Sequence, residues 1–87
     1  MSYRIVLSSA VQKVLERLPS EVQSRISTKI GSLTNNPRPP GAKTLQGAKG
    51  ELRLRVGDYR VVYQVEDDRF LVRVVKVGHR SDIYRKR

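Results

Sequence analysis

Apolar positions fall into two rhythms along this chain, helical in its first third and alternating in its second half. Tyr3 to Leu7 alternates weakly and stops at Ser8 and Ser9, as a short opening strand would. From there Ala10, Val11, Val14, Leu15 and Leu18 recur at helical spacing on one face. Ser9 followed three residues later by Gln12 has the form of a capping box, which starts a first helix near Ala10, and Pro19 either ends that helix or opens the next. Ser20 and Gln23 repeat that relation. Val22, Ile26, Ile30 and Leu33 then form the apolar stripe of a second helix, with Gln23, Arg25 and Lys29 facing out. So tight a junction predicts an antiparallel helical hairpin.

The helical pattern fails at Asn35, Asn36 and Pro37. Three prolines and three glycines between Asn36 and Gly50 mark a loop or irregular crossover, with Leu45 as its anchor in the core. At Glu51 the period changes to two: Leu52, Leu54 and Val56 point one way, Glu51, Arg53 and Arg55 the other. Gly57 and Asp58 turn the chain into a strand over Tyr59 to Val65. Glu66 to Arg69 turns it again, into a strand over Phe70 to Val77 whose valines occupy both phases.

The predicted fold class is α+β, in the order β-α-α-β-β-β. It is a four-stranded antiparallel sheet with a helical hairpin packed on one face. The opening strand is placed beside the strand that begins at Glu51. Leu15, Leu18, Ile26, Ile30, Leu54, Val61 and Val74 are the expected core, and residues 1–87 are read as one domain.

Charge changes the picture. The chain carries 18 basic against 8 acidic residues, a net +10 over 87 residues, with twelve arginines to six lysines. So high a charge on a small domain costs self-repulsion and attracts polyanions. Arginine's planar fork also matches phosphate oxygens better than an ammonium does. Nucleic acid, or a ribonucleoprotein, is the expected target. Cysteine is absent, and one histidine among scattered acids does not supply a metal site. Neither a metal nor a small-molecule cofactor is expected. Gly41, Gly47 and Gly50 lack the spacing of a phosphate loop. The opening residues do not read as a signal peptide and no apolar run is long enough to span a membrane, so a cytoplasmic location is expected.

Candidate chemistry gathers between Leu52 and Tyr84. Arg53 and Arg55 share one face of their strand. Arg60 joins them if Val61 and Val65, with Tyr59 and Tyr63, enter the core. Together the arginines form a cradle for phosphate. His79 is the residue that titrates near neutrality, and its place after Gly78 suggests a cleft rim. Tyr84 is either a C-terminal anchor or a ring on which a base stacks.

At these residues the sequence becomes specific. GDYRVVYQV followed by VVKVGHRSDIY resembles the RelE toxins of the RelE/ParE superfamily. The opening YRIVLSSAVQKVLERLP, the second helix and NPRPPGAKTLQG resemble them too, so the likeness spans almost the whole chain. It implies a toxin that enters the A site of a 70S-type ribosome and cleaves the mRNA there by metal-free 2′-hydroxyl attack. It also implies an acidic RelB-like antitoxin as cognate partner. By the resemblance Arg60 contacts the scissile phosphate, Arg80 stabilises it or donates a proton, and Tyr84 orients the substrate. Two family lysines at alternate positions of a strand correspond here to Glu51 and Arg53, and the lysine of a GKR pattern to His79. His79 is therefore proposed to supply or relay the proton, with Arg53 assisting at the catalytic centre; Glu51, or activation of the 2′-hydroxyl by the arginines alone, is the alternative. Arg53, Arg55, Lys49, Lys76 and Arg85 are the expected RNA contacts. The alternatives are a ParE-like toxin that binds DNA gyrase and a catalytically weak basic nucleic-acid-binding module.

Overall fold

The computed structural model describes residues 2–44 and 50–83. Strand β1 (Arg4–Leu7) leads through the single residue Ser8 into helix α1 (Ser9–Arg17), and helix α2 (Ser20–Ser32) follows. After the proline-rich loop come β2 (Lys43–Thr44), β3 (Glu51–Val56), β4 (Tyr59–Glu66), a short 3-10 turn, β5 (Leu71–His79) and the one-turn helix α3 (Arg80–Ile83).

The cap of α1 lies one residue earlier than the sequence pattern suggested. The Ser8 hydroxyl accepts the Val11 amide at 3.1 Å, satisfying one of the orphan donors of the first turn. Gln23 does not cap its own helix. Its side-chain amide donates to the Leu15 carbonyl at 2.7 Å, tying α2 to the exposed end of α1.

The expected α+β architecture is present, and the sheet differs from the expectation in two details. It has five strands in the order β1-β5-β4-β3-β2, the two-residue β2 supplying the fifth. The opening strand lies at the edge away from β3 and runs parallel to β5, with Arg4 opposite Leu71 and Leu7 opposite Val74. The short link explains this. With one residue between β1 and α1, the helix continues in the strand's direction, placing Ala10 and Val11 beside Val75 and Val77 and Val14 and Leu18 beside Gly78 and His79. α2 then runs back, and the Thr34 carbonyl accepts the Tyr3 amide at 2.8 Å. β1 and α1 thus share the length of β5, and β1 pairs with its first half alone.

Val11, Leu15, Ile26, Ile30 and Leu33 meet Leu54, Val61, Tyr63, Val72, Val74 and Val77 in the core, while Leu18 is half-buried at its margin. The proposed anchor Leu45 lies outside the described residues. Leu52 faces Tyr63, Leu54 faces Val61 and Val56 faces Tyr59, so these pairs share the helix-covered face and their neighbours Arg53, Arg55 and Arg60 take the other. Between β4 and β5 the register slips: Val62 is opposite Lys76, Tyr63 is opposite Val74, and Val75 is the extra residue of a bulge.

Candidate nucleic-acid interface

The sheet face turned away from the helices carries a row of cations. Arg53 stands opposite Lys43 on β2, and Arg55 opposite Arg60 on β4. These four side chains, with Gly41, line a cavity of about 220 Å³. Lys76 pairs with Val62 of this face and also lines the cavities that β5 forms with α1.

The β3–β4 hairpin fixes part of this cluster. Its turn needs a left-handed residue, and Gly57 takes φ 60° while Asp58 keeps a negative φ. That is the demand of a turn whose first central position is glycine. The exposed Gly57 carbonyl accepts from Arg60 Nη1 at 3.1 Å and from Arg55 Nε at 3.4 Å, and Arg60 Nη1 also donates to the Tyr59 carbonyl at 3.0 Å. Two guanidinium groups thus hang on one oxygen, held before any anion arrives. The Arg80 amide donates to the Asp58 carbonyl at 2.8 Å, so the start of α3 is bonded to that same turn.

Glu51 extends the outer face at the far end of β3, where Gln64 Nε2 donates to its Oε2 at 3.3 Å. It is the only acidic residue of β3.

The loop that delivers Lys43 is fastened twice. Tyr63 is completely buried and donates its hydroxyl to the Pro37 carbonyl at 2.7 Å, and burial pushes its pKa up. Arg38 forms a two-pronged contact with Asp67, at 3.0 and 2.9 Å, and Tyr3 donates to the same carboxylate at 2.8 Å. The Arg38 guanidinium, and next the Tyr3 hydroxyl, hold the Asp67 carboxyl below its ordinary pKa.

His79 is not beside the arginines. It stands opposite Tyr59, with the two rings edge to face at 5.5 Å, and with Val14, Leu18 and Gly78 it lines a cavity of about 350 Å³ on the helix side. The Ser81 amide donates to His79 Nδ1 at 3.2 Å. The Ser81 hydroxyl stands 2.9 Å from the same nitrogen. The expected juxtaposition of His79 with Arg53 and Arg60 is not found: the sheet lies between them. The other sequence-derived candidates Lys49, Tyr84 and Arg85 lie outside the described residues.

Lys43 was missed by the sequence reasoning, because β2 is too short to show a period and sits in a stretch dominated by proline and glycine. Among the described residues no group of three or more His, Cys, Asp or Glu side chains is placed to hold a metal ion. None of their helices is long and apolar enough to cross a membrane.

A family model described as the ParE toxin of the type II toxin–antitoxin system parDE matches residues 5–84. A RelE-like toxin protein of Escherichia coli is 34% identical over 97% of this chain and 92% of its own length. The mRNA interferase toxin RelE of the same species is 32% identical over the same shares of both. Among solved structures, the archaeal RelE–RelB complex from Pyrococcus horikoshii contains a chain that superposes with a TM-score of 0.81 at 29% identity, covering 92% of this chain and 97% of that one. With the match spanning both helices and the whole meander, this chain belongs to the RelE/ParE superfamily of toxins from toxin–antitoxin systems, on its RelE side.

Proposed function

We propose that the chain is a ribosome-dependent endoribonuclease that cuts mRNA in the ribosomal A site and so arrests translation. The observation that carries this reading is the outer-face cluster of Lys43, Arg53, Arg55 and Arg60, in a chain whose relatives include an mRNA interferase. The cavity is lined by Gly41 and four cations alone, so it grips phosphate without aligning the bases of an RNA strand by itself. The ribosome supplies that alignment, which places the work in the cytoplasm.

The chemistry needs positioning, charge and two proton transfers. A base takes the proton from the 2′-hydroxyl, and the oxygen forms a bond to the adjacent phosphorus. The bond to the 5′-oxygen breaks, and that oxygen takes up a proton. The products are a 2′,3′-cyclic phosphate and a 5′-hydroxyl. Arg55 and Arg60, fixed on the Gly57 carbonyl, neutralise the nonbridging oxygens as charge accumulates. Arg80, bonded through its backbone to the same turn, acts on the leaving side. Arginine stays charged and accepts no proton, so the Glu51 carboxylate is the base this face offers. A cognate antitoxin of the RelB kind, the partner named in the archaeal complex, neutralises the toxin by covering this surface.

Single-turnover cleavage on ribosomes programmed with mRNA tests the assignment. Arg60→Ala should fold normally and cut roughly 100- to 1,000-fold more slowly, the loss of about 2.7–4 kcal/mol of transition-state stabilisation. Glu51→Gln should slow the reaction. An undiminished rate in Arg60→Ala would remove this face from the chemistry. The ParE description of the matching family model favours a second reading, inhibition of DNA gyrase. Supercoiling by gyrase that is unaffected by the purified chain, alongside mRNA cuts within codons, excludes it.

A further inference from the structure

A second basic cleft lies around the hairpin from the first. One face of α2 presents Ser24, Arg25, Thr28 and Lys29 at one-turn spacing, all exposed, toward Arg55 and Gly57 across a cavity of about 370 Å³. The Arg25 guanidinium lies against the turn, where a Cβ added to Gly57 would stand 3.7 Å from its Nη2.

The charges here are unbalanced. The nearest acids are Glu21, one turn earlier on α2, and Asp58, which shares a smaller adjoining cavity of about 130 Å³ with Arg25. Neither forms an ion pair with Arg25, Lys29 or Arg55. The pairs Arg38–Asp67, Arg69–Glu66 and Arg73–Glu66 involve no residue of this cleft's lining. Three cations around one cavity repel one another unless an anion sits between them.

Resting on the function proposed above, we propose that this cleft is a second phosphate site, which holds the sugar–phosphate backbone of structured RNA apart from the strand being cut. Arg55 lines both cavities, so the two sites form one basic belt around the β3–β4 hairpin. The Ser24 and Thr28 hydroxyls add donors suited to nonbridging oxygens. Val56 is the one apolar side chain in the lining, which suits a chain charged at every residue better than an acidic peptide with apolar residues between its carboxylates. In this arrangement Arg25 and Lys29 dock the toxin, and the outer face performs the cut.

The test is the full-length double variant R25E/K29E, with R25Q/K29Q as the milder form. Both positions are exposed, and thermal melts establish that the variants fold. On programmed ribosomes the half-saturating toxin concentration should rise roughly tenfold to a hundredfold, as for one or two lost charge-assisted contacts. The cleavage rate at saturation should stay at the wild-type value. Binding to a labelled RNA hairpin should lose about one to two units from the slope of log affinity against log salt. Unchanged half-saturation and an unchanged salt slope overturn the proposal. So does a fall in the saturated rate equal to the loss of affinity, since the cleft would then belong to the cutting site. Charge reversal that weakens a polyglutamate peptide but leaves RNA binding intact also overturns it. A wild-type chain that never cleaves on ribosomes, yet shows the altered salt slope when R25E/K29E is introduced, refutes the nuclease reading and leaves the phosphate cleft standing.

Discussion

Replacing Arg55 with threonine should make the protein more stable and less active, with opposite signs from one side chain. Arg55 and Arg60 face each other directly in the β3–β4 ladder and share the Gly57 carbonyl. Like charges directly opposite on neighbouring strands cost roughly 0.2–1 kcal/mol. Two unit charges about 6 Å apart in water repel by roughly 0.7 kcal/mol, inside that range. The loss on the other side is small, because the Arg55 bond is exposed and, at 3.4 Å, at the outer limit for an N–H···O contact. A net gain of about 0.5 kcal/mol raises the midpoint of a domain this size by about 2–4 °C. The assay is a pair of circular-dichroism melts, wild type and Arg55→Thr, in dilute buffer and in salt of about 1 M. At that salt the screening length falls to about 3 Å and the charge part of the advantage should vanish. Threonine's strand preference does not depend on salt, so the salt-sensitive part isolates the charge term. Single-turnover cleavage by the same variant should fall. A variant that melts below wild type in dilute buffer, or whose gain is as large in high salt as in dilute buffer, refutes the electrostatic reasoning.

Tyr63→Phe keeps the buried ring but strands the Pro37 carbonyl, so it should cost about 1–3 kcal/mol and lower the melting midpoint by roughly 4–20 °C; an unchanged urea midpoint would sink this. Asp67 has a folded pKa below its ordinary 3.8, so its contribution is fully present above that value and is lost as pH falls through the lower folded one. The stability gap between wild type and Asp67→Asn should therefore be constant at neutral pH and close on acidification, and a gap that widens in acid would contradict the sign. His79→Gln should leave the pH profile of saturated cleavage unchanged from about pH 5 to 8, since the ring faces the helices. A lost limb in that profile would return His79 to the reaction.

The sequence made the helices and the central strands legible because their apolar periods run long enough to fix a face. The alternation around Leu54 and Val61 correctly placed Arg53, Arg55 and Arg60 together, as the ladder of β3 and β4 shows. His79 was misplaced for a local reason. Strict alternation from Val72 sends Val74, Lys76 and Gly78 inward and His79 outward, whereas the extra residue at Val75 shifts the phase and brings Val77 and His79 to the helix side. Valines in both phases conceal such a bulge. Nor was the partner of β1 written in its four residues: pairing with β5 follows from the one-residue link to α1, a tertiary constraint without a pattern of its own. Lys43 escaped for the opposite reason, sitting on a strand too short to have a period.

The parallel pairing of β1 with β5 also orders events in time. Arg4 meets Leu71, 67 residues further along the chain, and no nearer strand stands in for it. At roughly 5–20 residues per second, synthesis takes about 3–13 seconds to supply the second strand of that pair. Until then the apolar stripe of α1 lacks the strand it packs against, and contacts this distant in sequence form slowly. A nascent copy of the toxin is accordingly harmless and sticky at once, lacking its finished cationic face while exposing the surfaces that chaperones bind.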